Sequence, residues 1–139
     1  MKKYLTPVVG FIVILGVSSC RKTEVIENYY PNPNKSFVYE RAANEWNTDG
    51  SQIWLELNLP ELDSYFMNQG GVQISMSQDD ESTYDILPAT FDQIAYSVNY
   101  RVGRITIYGQ DPLADPGVSI TPPDYVFIKI VLMETDYIE

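Results

Sequence analysis

The chain has no histidine and only one cysteine among its 139 residues, and each shortage removes a class of chemistry. Without imidazole there is no Ser-His-Asp or Cys-His nucleophile system, no imidazole metal ligand, and no side chain that titrates near pH 7 unaided. A single thiol forms no internal disulfide and no cysteine-rich zinc site. Positive charge is scarce as well: 9 Lys plus Arg stand against 19 Asp plus Glu, for a net charge of -10. Such a surface repels phosphate backbones, so nucleic acid is not an expected partner. What remains is enough chain for one ordinary domain, large enough to bury about two thirds of its unfolded surface without disulfide staples.

The longest apolar run lies near the start. Behind the basic Met1-Lys2-Lys3, every residue from Val8 to Val17 is apolar or Gly, and Ser18-Ser19-Cys20 ends the run. Ten helical residues rise only about 15 Å, half of a bilayer's hydrocarbon core, which favours a secretory signal over a permanent span. Val17-Ser18-Ser19-Cys20 resembles the bacterial lipoprotein box, in which an aliphatic residue and two small ones precede a Cys that is acylated and becomes the mature N-terminus. Val17 stands where Leu is commonest. The resemblance implies a cleaved segment 1–19, lipid on Cys20 and a Gram-negative envelope. Arg21, in place of the Asp that often signals inner-membrane retention, points to the outer membrane. Surface-displayed lipoproteins of the Bacteroidota type carry acidic residues just after the Cys, whereas Arg21-Lys22-Thr23 precedes Glu24 here, so the leaflet stays open. A plain signal peptide with a chance Cys is the competing reading; against it, the only Cys sits where the box requires one.

Residues 20–35 read as a lipidated N-terminus and tether, because Tyr29-Tyr30-Pro31-Asn32-Pro33-Asn34 is too irregular for a helix or a central strand. Docking of Tyr29 and Tyr30 on the domain is the alternative. From residue 36 to 139 the dominant signal is period two. Ile53, Leu55, Leu57 and Leu59 alternate with Trp54, Glu56 and Asn58; Val72, Ile74 and Met76 with Gln73 and Ser75; Ile94, Tyr96, Val98 and Tyr100 with Ala95, Ser97 and Asn99; Ile105 and Ile107 with Thr106 and Tyr108. Short segments over Phe37 to Trp46 and Tyr84 to Leu87, with an all-round apolar Tyr125 to Met133, bring the predicted strands to seven. The last should be central. Asp49-Gly50, Asp79 to Ser82 and Gly103 supply turns, and Pro60 to Gln69, with Leu62 and Phe66 four apart, invites one or two helical turns. The expectation is an all-β antiparallel sandwich of immunoglobulin-like size. Gly109 to Asp124 forms a long irregular stretch, read as a crossover or a functional loop.

The strand at Trp54 to Leu59, the Gly71-Val72 strand entry, the return at Ile86-Leu87-Pro88 and the late aromatic-aliphatic strand resemble a group of small lipoproteins common in Bacteroidota. That resemblance covers most of the mature chain and implies the fold and the address, with no functional residues to carry over.

Carboxylates are the only candidate acids and bases, among them Asp79, Asp80, Glu81, Asp85, Asp111 and Asp115. A glycosidase needs two facing one cleft, but the Asp79 group reads as a solvated hairpin tip, so no enzyme, no catalytic residue and no cofactor are expected. Asp111 and Asp115 are the candidate calcium ligands, although no calcium-loop spacing is present. Trp54 should project away from the core beside Glu56 and Asn58, an arrangement suited to stacking a sugar or anchoring a protein contact; a ring covered by the tether or the long loop is the plainer alternative. The functional expectation is a noncatalytic accessory subunit with a protein partner in the envelope and a membrane contact through Cys20. A glycan-binding or small-ligand module around Trp54 is the alternative.

Overall fold

The alternating runs become strands whose apolar sides face one another across two sheets. A computed structural model of the protein describes residues 34–135; the expected signal segment, Cys20 and the expected tether before Asn34 lie outside the described residues. The strands are β1 (Lys35–Ala42), β2 (Asn47–Thr48), β3 (Gln52–Asn58), β4 (Gly71–Ser77), β5 (Asp85–Ile86), β6 (Ala89–Phe91), β7 (Ile94–Arg101), β8 (Arg104–Gln110) and β9 (Tyr125–Met133), with one short helix, α1 (Ser64–Asn68). One sheet has the order β1-β9-β4-β5, the other β2-β3-β8-β7-β6, and every pairing is antiparallel. The expected all-β sandwich is therefore what forms.

Its core is the sum of the inward positions. Ile53, Leu55 and Leu57 from β3 and Ile105 and Ile107 from β8 pack in one cluster with Ile74 and Met76 from β4 and Val126, Ile128, Ile130 and Leu132 from β9. Each such side chain contributes about 1.5–3 kcal/mol by leaving water. As its sequence implied, β9 is central, between β1 and β4. Its inward residues are fully buried, while Tyr125, Phe127, Lys129, Val131 and Met133 on the other side are only half-buried.

α1 forms because Asp63 caps it, its carboxylate accepting from the Tyr65 and Phe66 amides, and because Leu62 and Phe66 are both buried. It carries the chain from β3 to β4, across from one sheet to the other. Gly103, at φ +75° in the β7–β8 turn, is locked to that link: its amide donates to the Leu62 carbonyl at 2.7 Å and its carbonyl accepts from Leu59 at 3.0 Å.

Two expectations need correction. Phe37 to Trp46 is not one strand: β1 stops at Ala42, a single 3-10 turn follows at Ala43–Glu45, and Trp46 turns inward, 6% exposed. The strand number rises from seven to nine because of β2 and β6. β6 joins β7 through Asp92-Gln93, both at positive φ (48° and 62°). A turn of that kind usually advertises itself by glycine, and here it has none.

Candidate functional site

β3 presents Gln52, Trp54, Glu56 and Asn58 on the side away from the core, so the three candidate binding residues share one face. The register decides their neighbours. Trp54 lies opposite Asn47 on β2 and Tyr108 on β8; Glu56 lies opposite Thr106, Asn58 opposite Arg104, and Gln52 opposite Gln110. Trp54 and Tyr108 are therefore cross-strand neighbours on one face, both half-buried. Glu56 and Arg104 approach to 3.5 Å, a partly exposed ion pair that orients both side chains and contributes little to stability.

The loop after β8 comes next to this face at its Gln52–Gln110 end. It folds beside the same face to wall a cleft of about 340 Å³ lined by Gln52, Gln110, Asp49, Ser51, Asp111 and Asp115 together with the 114–118 segment. Trp54 lies just beyond that lining, two residues along β3 from Gln52. A second depression of about 320 Å³ lies on the other flank of the loop, near Asp92, Gln93 and Ser119.

Asp111 and Asp115 thus border the first cleft, and Asp49 joins them. Their carboxylates are partly occupied by the chain itself. Asp111 accepts from the Leu113 amide at 3.1 Å and the Asp115 amide at 2.9 Å, which shapes the loop. Asp49 accepts from Ser51 and Gln52 amides and the Ser51 hydroxyl, and these hydrogen bonds hold its pKa below the ordinary carboxylate value. Among the described residues no three carboxylates converge to hold a metal ion. Asp79 behaves like Asp49: its carboxylate accepts from the Thr83 hydroxyl and amide and from Ser77, which lowers its pKa and makes it the organiser of the β4–β5 turn.

Tyrosines show the opposite shift. Burial, and then the hydrogen bond donated to Glu81 at 2.6 Å, push Tyr84 up to about 12. Burial and the nearby Asp92 charge raise Tyr96 to about 12; Gln78 offsets part of this without closing a hydrogen bond to the buried hydroxyl. Partial burial, then the Glu40 carboxylate, raise Tyr125 to about 12. A tyrosine whose folded pKa lies above its unfolded value of 10.0 stabilises the fold fully below pH 10. That contribution is lost as pH rises toward 12. Spectrophotometric titration of tyrosinate should therefore show a late group that ionises together with loss of the near-ultraviolet circular dichroism of the folded core. Ionisation of all 11 tyrosines in one step near pH 10, with the fold intact, would contradict these environments.

Tyr108, Gln52 and Gln110 are the residues that sequence reasoning left out of the site. The alternation of β8 already pointed Tyr108 outward; only the β3–β8 register placed it beside Trp54. No protein-family model matches the chain, and neither a curated protein nor a solved structure is similar to it.

Proposed function

We propose that the protein is a noncatalytic, lipid-anchored accessory subunit of the cell envelope, held at the outer membrane through Cys20 and joined to a protein partner along β1. The observation that carries the partner contact is the unequal length of the sheet edges among the described residues. β2, β5 and β6 have two, two and three residues, while β1 runs for eight. The strands behind those short edges stay open over at most five residues, Ser97 to Arg101 of β7, so among the described residues the eight-residue flank of β1 is the longest template for an added strand.

The adjoining outer face supports the same reading. Val38 is 47% exposed and Ile86 60%, with Lys129 and Ser75 between them in one register row and Phe127 and Val131 half-buried to either side of Lys129, whose ammonium is 3.8 Å from the Tyr84 ring centroid. A partner strand on β1 would cover Val38 and extend this apolar strip. The lipid and the partner edge then lie on the same side of the chain in sequence, Cys20 being 15 residues before Lys35.

The test is recovery of the acylated protein from membranes dissolved in mild detergent, beside Val38→Glu. The substituted carboxylate would face Lys129 across β1–β9, so the fold should persist while the apolar strip is broken. Wild type is expected in a defined complex whose cross-links map to β1, and the variant as monomer. Recovery of wild type as a lone monomer would overturn the proposal.

A further inference from the structure

The outer face of the five-stranded sheet lies on the other side of the sandwich from the strip around Val38, and its chemistry is different. Toward the cleft its aromatic residues are set among neutral hydrogen-bonding groups: Asn47 and Ser97 flank Trp54 and Tyr108 in the same register row, and Gln52 and Gln110 form the next, while the row on the other side holds Glu56, Thr106 and Asn99. β3, β7 and β8 place no large aliphatic side chain on this face; Ala95 is the only aliphatic one. A protein interface would be expected to have an apolar centre. Amides and hydroxyls around flat rings match a different surface, one with apolar C–H faces and a rim of hydroxyl groups. That is the surface of a sugar, whose C–H bonds meet the negative face of an aromatic ring while its hydroxyls take up the amide donors and acceptors.

We infer that this face is a binding site for a neutral glycan chain, with sugar rings stacked on Trp54 and Tyr108 and the chain continuing over Gln52 and Gln110 into the adjoining cleft. Geometry sets the length. Adjacent strands set the backbones that carry the two rings about 4.8 Å apart, and the row from Gln52 to Asn58 extends about 20 Å at about 3.4 Å per residue. The site is an elongated track that a single sugar does not fill. Charge sets the class at the cleft end of the track: three carboxylates, Asp49, Asp111 and Asp115, border the cleft on a chain of net charge -10, while Arg104, paired with Glu56, and Arg101 stand at the far end beside Asn58, so uronate-rich or sulfated polymers are disfavoured where the chain enters the cleft and neutral ones are not.

The inference is independent of the partner edge on β1, and its failure leaves that proposal standing. The test uses a panel of neutral hexasaccharides, α- and β-linked, with polygalacturonate as the anionic control, read by tryptophan fluorescence and isothermal calorimetry. The chain has two tryptophans, and buried Trp46 reports folding while Trp54 reports binding. Wild type should bind at least one neutral hexasaccharide and ignore polygalacturonate. Trp54→Ala and Tyr108→Ala should each weaken that binding about tenfold or more, as loss of an aromatic anchor does, while the Trp46 emission stays that of the folded core. Val38→Glu should leave it unchanged. No binding to any member of the panel, or full binding retained by folded Trp54→Ala, would overturn the inference; tighter binding of polygalacturonate would overturn its charge selectivity.

Discussion

Ile130→Ala is expected to lower the unfolding free energy by about 3–4 kcal/mol. Ile130 is at the middle of β9, is 0% exposed, and pairs with Phe37 on one side and Ile74 on the other. Removing its branched side chain forfeits the transfer free energy of the lost carbons and leaves a cavity between two sheets whose backbones are fixed by pairing on both flanks, so little collapse relieves it. A domain of this size is stable by only about 5–15 kcal/mol. One substitution therefore removes a large share. Ile86→Ala provides the comparison: the same chemical deletion at a residue 60% exposed should change stability by under about 0.5 kcal/mol. Equilibrium urea unfolding of both variants measures the difference as a displaced midpoint with a similar slope for both. Equal losses would mean that β9 is not the centre of the core.

The predicted centrality of β9 was legible because a strand apolar on both sides has nowhere else to go. The same kind of inference found the β3, β4, β7 and β8 strands, for which period two names the inward side without any knowledge of pairing. The α1 segment was legible from Leu62 and Phe66. Pairing itself is non-local, and there the sequence falls silent. Nothing in the order of residues places Tyr108 opposite Trp54, since β3 and β8 are separated by α1, β4 and the β7 arm. β6 was hidden for a local reason: Asp92 and Gln93 adopt positive φ without a glycine to mark the turn. Trp46 was hidden for a third, because the chain passes from one sheet to the other through the 3-10 turn and the alternation on which the reading depends is broken there. Half of the candidate site, the β3 side, was thus readable in advance; the β8 side and the loop wall required the register.

The long loop also has a physical reason to be where it is. Ile120 is buried and its amide donates to the Gly50 carbonyl at 3.0 Å, which ties the crossover to the β2–β3 turn. The loop therefore serves two purposes at once. It carries the chain from β8 in one sheet to β9 in the other, and it walls the cleft at the end of the Trp54–Tyr108 face.

Membrane attachment through Cys20 is the point on which the proposed function turns, and one substitution tests it. Two or three acyl chains, each buried methylene adding about 0.8 kcal/mol, hold a protein on a bilayer in a way that one chain does not. Among the described residues no helix is long and apolar enough to cross a membrane; the anchor in this proposal is lipid on Cys20. The measurement is membrane fractionation of wild type and Cys20→Ala after an alkaline wash, with intact mass of the wild-type protein extracted by detergent. Wild type should remain with the outer-membrane fraction and carry the mass of its acyl chains, and Cys20→Ala should lose that attachment almost completely. An unmodified Cys20, or a variant that stays with the membrane as firmly as wild type, would contradict it.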